Sequence, residues 1–372
     1  MRVRASLLML VCAAVASAAP APFTIEQAMS APFPSQLIAS RDGRRISWEY
    51  NDRGARNVWV AEAPGWTGRP VTSFPDDDGL DISDLAFTHD GAAVVFVRGE
   101  GRNGKGELAN PRSQTAGGVQ EVWIAPVSGG SARRLAEGRA PAASPKGDRI
   151  AFVLKNEAWS IGLAPDAKPE QMFQARGRVA DLRWSPDGSR LAFVSRRGDH
   201  SYVGVWDPAR KSIVYLDPGV DHDGEPAWSP DGRRVAFIRI PAVKESQIFR
   251  PQREGTPWSI RVADAATGVG SAVFRAEPGK GSVFRETAAG EQLFWADGDR
   301  IVFPWEREGW THLYAIAASG AGAATPSLLT PGQFEVEWVS ISPDRRTILY
   351  NSNEGDIDRR HLWSVPVAGG PP

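Results

Sequence analysis

The chain has 372 residues, which is enough for one large domain or two smaller ones. Its 43 basic and 44 acidic side chains nearly cancel, which argues against a protein that binds nucleic acid by neutralising phosphates. Cys12 is the only cysteine, so the sequence offers no disulfide framework and, once a leader is removed, no thiol chemistry.

The first 18 residues are typical of a secretory signal peptide. Arg2 and Arg4 precede an apolar stretch over residues 7–15, and Ala16-Ser17-Ala18 supplies the small residues of a cleavage site. The apolar stretch is too short to span a bilayer. We therefore expect a periplasmic or secreted protein with no membrane anchor after cleavage. A lipoprotein attached at Cys12 is the alternative, which the bulky Val11 before it disfavours.

Residues 19–34 are expected to form a short N-terminal segment, in which only Thr24 to Ser30 has a helical pattern. From residue 35 onwards, a polar turn of the Ser-Pro-Asp-Gly type followed by a short apolar strand recurs seven times. Its clearest copies are Trp184 to Val194 and Trp228 to Ile238. Proline presets the first corner of such a turn, aspartate bonds to nearby backbone N–H groups, and glycine accepts a positive φ.

The spacing of these turns indicates the architecture. Successive turns are separated by 48, 56, 41, 44, 67 and 46 residues, and a four-stranded propeller blade needs about 40–50. The longer intervals indicate insertions, at Gly99 to Gln120 and at Pro241 to Pro257. The turns begin at Ser40, Thr88, Ser144, Ser185, Ser229, Ala296 and Ser342.

Within each unit the apolar residues follow a period of two, as in Ile150 to Val153. The sequence therefore predicts an all-β fold: a β-propeller of about seven four-stranded blades over residues 35–372. Eight blades, incompletely closed, is the alternative count. A two-sheet sandwich is the alternative fold, which the long fixed period disfavours.

Three patterns resemble ligand sites but favour structural roles. Gly99 to Gly106 has glycines spaced as in a phosphate loop but lacks the following Ser/Thr and helix, so a flexible loop is expected. Asp76 to Asp81 lacks the alternating carboxylates of a calcium loop, which favours a solvated turn. The five histidines show no metal-ligand spacing, and a hydrogen-bonded structural role is expected for His312 and His361. We expect no cofactor and no metal.

Three strings carry a resemblance to a known family: Phe23 to Ser35, Trp305-Glu306-Arg307-Glu308-Gly309-Trp310-Thr311-His312-Leu313-Tyr314, and Asn353 to Trp363. They resemble the N-terminal propeller of prolyl-oligopeptidase-family serine peptidases, most closely the dipeptidyl peptidase IV-like branch. The resemblance implies a non-catalytic propeller that gates the access of short peptides to an α/β-hydrolase domain. That domain has its nucleophile on a Gly-x-Ser-x-Gly elbow. No such string occurs in these residues, so we expect a chain truncated before the catalytic domain, without catalytic residues of its own.

Two charged clusters are candidates for gating or binding the substrate. Glu306, Arg307 and Glu308 lie in the second of these strings, and Arg250, Arg253 and Glu254 lie in the second insertion. In the family, an acidic pair from the propeller holds the substrate's amino terminus. The Glu-Glu helix string that carries this pair is absent here, which leaves dipeptide specificity open.

Two other functions remain possible on the sequence. A stand-alone periplasmic propeller of the Tol type would share the turn motif and bind protein partners, but it would not need the Glu-Gly-Trp and Arg-His-Leu-Trp strings. A propeller glycosidase or lyase would need acids converging on one face, which the sequence alone does not show.

Overall fold

The computed structural model describes residues 23–103, 105–242, 254–319 and 325–370. Of the candidate site residues, Arg250 and Arg253 lie outside these ranges. The first helix and the strands of the first three sheets are α1 (Ile25–Met29), β1 (Phe33–Ala39), β2 (Arg45–Asp52), β3 (Ala55–Glu62), β4 (Arg69–Pro70), β5 (Ile82–Phe87), β6 (Ala93–Arg98), β7 (Glu121–Pro126), β8 (Arg133–Glu137), β9 (Arg139–Ala143), β10 (Arg149–Leu154), β11 (Glu157–Gly162) and β12 (Glu170–Phe173).

The remaining strands follow in the same pattern. They are β13 (Arg178–Trp184), β14 (Leu191–Arg196), β15 (Ser201–Asp207), β16 (Ser212–Tyr215), β17 (His222–Trp228), β18 (Arg234–Ile240), β19 (Ser259–Asp264), β20 (Gly270–Arg275), β21 (Phe294–Ala296), β22 (Arg300–Trp305), β23 (His312–Ala317), β24 (Ser327–Leu328), β25 (Val336–Ile341), β26 (Thr347–Ser352) and β27 (His361–Pro366).

Consecutive strands pair antiparallel into sheets of four, in the order in which they occur in the chain. Sheets one to six are β1–β4, β5–β8, β9–β12, β13–β16, β17–β20 and β21–β24, and the described part of sheet seven is β25–β27. A single parallel pairing, between Ser201 and His222, joins sheets four and five.

Each polar turn joins the first strand of a sheet to its second. In sheet four, the Ser185 hydroxyl donates to Asp187 Oδ1 at 2.6 Å and accepts the Arg190 N–H at 3.0 Å. Gly188 closes the turn at φ +64°, a conformation that glycine adopts without strain. These bonds hold the pKa of Asp187 at about 2, with the Ser185 hydroxyl as the largest cause. The repeated motif is therefore a structural turn.

Each sheet packs its face against the next. Six hydrophobic cores occur among the described residues, one at each interface between consecutive sheets. Between sheets five and six, for example, the wholly buried Trp258 meets Phe303 edge-on, with ring centroids 5.8 Å apart. From sheet one to sheet six, each first strand also lies beside the first strand of the next sheet. The sheets are thus fanned around an axis lined by first strands, which confirms the predicted propeller.

The two end faces of the fan carry exposed apolar side chains. Phe33 and Leu37 on β1 are 70% and 69% exposed. On sheet seven, Trp338 is 56% exposed and Leu362 is 88% exposed. None of the cores among the described residues joins sheet seven to sheet one. The seven described sheets match the predicted count of about seven blades.

Candidate functional site

The first strands of the sheets share a β-bulge that directs one residue of each strand toward the axis. Five of them contain a register shift with one non-glycine residue at positive φ, between +51° and +55°. Such residues are strained, and β-bulges of this kind re-aim a side chain. The five residues are Gln36, Asp84, Ala140, Asp181 and Glu225.

Hydrogen bonds show that these positions link neighbouring first strands. The side-chain nitrogen of Gln36 donates to the Ile82 carbonyl at 2.6 Å, and the Ala140 N–H donates to Asp84 Oδ2 at 3.2 Å. The bulges therefore form part of a polar lining around the axis, since each bond bridges from one sheet to the next.

One end of this axis carries the long loops. The polar turns close the first and second strands at one end, so the connections from second to third strands must emerge at the other. Both predicted insertions are such connections: residues 99–120 follow β6, and residues 241–258 follow β18. We call this end of the propeller the loop end. It is also where β9, β13 and β17 begin and where β14 and β18 finish.

A cavity of about 250 Å³ opens at the loop end, between sheets four and five. Charged side chains from β13, β14 and β17 line it, together with the connection from β20 to β21, residues 276–293. The lining residues used below are Arg178, Asp181, Arg196, Glu225, Phe284 and Glu286. A concave site with converging charged groups is the kind of place where small ligands bind.

Glu225 is the most perturbed acid of this cavity. Burial, with a smaller contribution from the neighbouring Asp181 and Glu286 carboxylates, raises its pKa to about 7, while Arg183 and the backbone N–H of Gln292 oppose the rise. Near neutral pH its carboxyl group is therefore divided between the protonated and ionised forms. A half-buried acid of this kind in a cleft is a marker of a functional site.

Other charged groups at the loop end are paired. Arg239 donates to both oxygens of Asp223, at 2.6 and 2.9 Å, and the Asp223 side chain is 1% exposed. Arg196 bonds to Asp181 at 3.1 Å. Asp78 accepts from Arg98 and from Arg112 of the first insertion, so it ties that loop to sheet two.

The described members of the sequence-predicted clusters are not among the residues that line the cavity. Glu254 is exposed, and its neighbour Gly255 donates to the Ser282 hydroxyl at 2.6 Å. Glu306 lies 3.6 Å from Arg285, and Arg307 pairs with Glu277 at 3.2 Å. Glu308 is exposed in the turn after β22. Glu306 and Arg307 thus contact the connection 276–293, which supplies Phe284 and Glu286 to the cavity. Their roles toward a substrate stay predictions.

Sequence reasoning did not find the axial residues, although a signal exists. Gln36, Asp84, Ala140, Asp181 and Glu225 each lie four residues before the Ser or Thr that opens a polar turn. The same offset in the last two sheets gives Gln292 and Trp338. Aligning the repeats on their turns would therefore have predicted the ring, and the Gln292 backbone does face Glu225.

Two other motifs have structural roles. The acidic run 76–81 was predicted to be a solvated turn, but Arg56 lies 3.6 Å from Asp77 and 3.2 Å from Asp81. His312 is buried and its Nε2 lies 3.1 Å from the Gly332 carbonyl, as expected for a structural histidine, whereas His361 is exposed. In the described ranges no cluster of His, Cys, Asp and Glu could hold a metal ion, and no helix has the length and hydropathy to cross a membrane.

Known proteins show which family the chain is similar to. Residues 252–372 match the model of the dipeptidyl peptidase IV N-terminal region. A segment of 61 residues is 41% identical to probable dipeptidyl peptidase 4 of Emericella nidulans, and it covers 16% of this chain and 8% of that protein. Over residues 252–372 the chain is thus similar to the N-terminal region of dipeptidyl peptidase IV, which confirms the resemblance seen in the sequence.

Solved structures support the fold alone. The propeller domain of the trilobed protease from Pyrococcus furiosus is 13% identical, with 90% of this chain and 95% of that chain covered and a TM-score of 0.50. The Cps50 (Swd1) propeller of Myceliophteria thermophila is 12% identical, with 89% and 97% covered and a TM-score of 0.52. At these identities the likeness shows a β-propeller fold and nothing further.

Proposed function

We propose that this chain is the non-catalytic propeller of an exported serine peptidase, which admits short peptides to an α/β-hydrolase domain encoded beyond these residues. The observation that carries the proposal is the match of residues 252–372 to the dipeptidyl peptidase IV N-terminal region. The arrangement of the loop end supports it, since the strand ends that flank both insertions lie at the same end of the axis as the charged cavity.

In this proposal the propeller selects by size and charge. A folded protein cannot enter a polar cavity of about 250 Å³, whereas an extended segment of a few residues can. The hydrolase domain would supply the nucleophile and the oxyanion hole. The propeller residues would bind and orient the peptide, so that its scissile bond is presented to that domain.

The test is to express two proteins, the chain of 372 residues and the product of the reading frame extended past Pro372. We expect a serine-directed fluorophosphonate to label the longer protein, which should cleave chromogenic peptides, and to leave the shorter one unlabelled. Purification from the periplasm would test export. A stop codon directly after Pro372, or hydrolysis by the shorter protein, would contradict the proposal.

A further inference from the structure

The cavity between sheets four and five combines acidic and apolar lining. Glu225 of β17 and Glu286 of the connection after β20 both line it, and their carboxylates repel each other. Ile238 and Ile240 of β18, together with Phe284, supply the apolar part of the lining. A cavity of this composition suits a ligand with an apolar body and a charged end.

The charged side chains of the lining leave one net negative charge. Four carboxyl groups and two guanidinium groups line the cavity, from Asp181, Asp223, Glu225, Glu286, Arg178 and Arg196. Arg239, which is outside the lining, bonds to both oxygens of Asp223 and adds a third positive charge. With the two lining histidines counted as neutral, four negative charges face three positive ones. A ligand with a single positive charge would balance the site.

Glu225 and Glu286 are the carboxylates available to such a ligand. Arg183, whose charge acts on Glu225, lies 3.7 Å from Glu291, and Arg178 is exposed to solvent. In the part of the chain that the structure describes, neither Glu225 nor Glu286 forms an ion pair. Burial without a paired cation disfavours an ionised carboxylate, so a cation between these two groups would gain strong charge-assisted bonds.

Gly224 gives the cavity its depth. It lines the cavity beside Glu225 and pairs with Ile238 in the register of β17 and β18. A Cβ at this position would meet no atom within 4 Å, so the glycine faces open space. Phe284 is fixed by the wholly buried Trp258, with ring centroids 4.9 Å apart. Pockets for drug-sized ligands hold about 300–1,000 Å³, so this cavity of about 250 Å³ suits one long side chain.

We propose that this cavity binds a basic side chain, lysine or arginine, of a short peptide. The methylene stem would lie along Ile240 and Phe284. The charged end would lie between Glu225 and Glu286. The inference rests on the proposed peptide-handling function and names its substrate class, short peptides with a basic residue. A free amino terminus has the same charge but no stem to cover the apolar lining, so it fits the cavity less well.

The test is calorimetric titration of the chain of 372 residues at pH 7 with acetyl-Ala-Lys-Ala amide and acetyl-Ala-norleucine-Ala amide. Norleucine has the four-carbon stem of lysine without the ammonium group. We expect the lysine peptide to bind at least about tenfold more tightly, because charge-assisted bonds are strong. Ala-Ala-Ala amide, whose amino terminus is free, tests the other source of an ammonium group and should bind more weakly than the lysine peptide.

Glu286→Gln should remove most of the preference for lysine, and Glu286→Asp should retain part of it. Gly224→Val should weaken the binding of both acetylated peptides, because its side chain would occupy the open space. Glu170→Gln on the exposed outer strand β12 is the matched control and should bind as the wild type does. Thermal melting shows whether each variant is folded.

Equal binding of the lysine and norleucine peptides, no measurable binding of either, tighter binding of Ala-Ala-Ala amide, or an unchanged preference in folded Glu286→Gln would each overturn the inference. None of these results depends on hydrolysis. A longer protein that is labelled by the fluorophosphonate would therefore support the proposed function even if the preference for lysine were absent.

Discussion

Replacing Glu225 with glutamine tests whether the axial cavity holds a strained, partly buried acid. The folded-state pKa of this group is about 7, against 4.5 for an ordinary glutamate, mainly because of burial. The folded protein therefore keeps the proton between these pH values while the unfolded chain releases it. Stability must fall as the pH rises through this window, since the unfolded state binds fewer protons there.

The size of the effect follows from the pKa difference. A rise from 4.5 to about 7 corresponds to about 3 kcal/mol, and partial exposure to water reduces this to about 1–3 kcal/mol. Glutamine has the same shape and stays neutral, so it removes the penalty. We expect Glu225→Gln to unfold like the wild type below pH 4.5 and to be more stable by about 1–3 kcal/mol at pH 8.

The assay is urea unfolding followed by tryptophan fluorescence at pH 4, 6 and 8. Glu170→Gln on the exposed outer strand β12 is the control, and its difference from the wild type should be small at every pH. A stability difference for Glu225→Gln that does not change with pH, or that is destabilising at pH 8, would refute the placement of this acid.

Three further substitutions, two of them with a matched control substitution, test the fold. Ala140→Gly should stabilise the protein by about 1 kcal/mol because it relieves a positive φ, whereas Ala142→Gly in the same strand should destabilise it, both measured by urea unfolding. Gly177→Ala should lower stability by about 2–4 kcal/mol, because the new Cβ would lie 2.4 Å from the Arg196 carbonyl oxygen; Gly198→Ala, with positive φ but open space, should cost only about 1–2 kcal/mol. Ser185→Ala should cost about 1–2 kcal/mol in thermal unfolding, because it removes two bonds of the polar turn.

The sequence predicted the parts of the fold that local chemistry decides. The polar turns at Ser185 and Ser229 close first and second strands as expected, because Ser, Asp and Gly determine such a turn within a few residues. The first insertion connects β6 to β7, in the interval where the turn spacing predicted it. The short helix at Ile25–Met29 has the capping box of Thr24 and Gln27, which is a local signal too.

The candidate site could not be predicted in the same way, because it depends on neighbouring sheets. The raised pKa of Glu225 requires Asp181 from sheet four and Glu286 from the connection after sheet five. The cross-strand pair of Arg178 and Arg196 depends on the register beyond a bulge. The sequence instead predicted Glu306 and Arg307 as site residues, because they form a charged run in a family motif. In the structure their contacts are with the connection 276–293.

The most direct test of the central claim is to obstruct the axis and measure peptide cleavage. The only natural cysteine is Cys12 in the predicted leader, so Ala140→Cys would give the exported protein a single thiol beside the axis. In the protein from the extended reading frame, a polyethylene-glycol maleimide on this thiol should lower hexapeptide cleavage at least tenfold, and the same group on Ala266→Cys, in the outer turn after β19, should not. Unchanged cleavage with residue 140 fully modified would show that peptides do not pass this way.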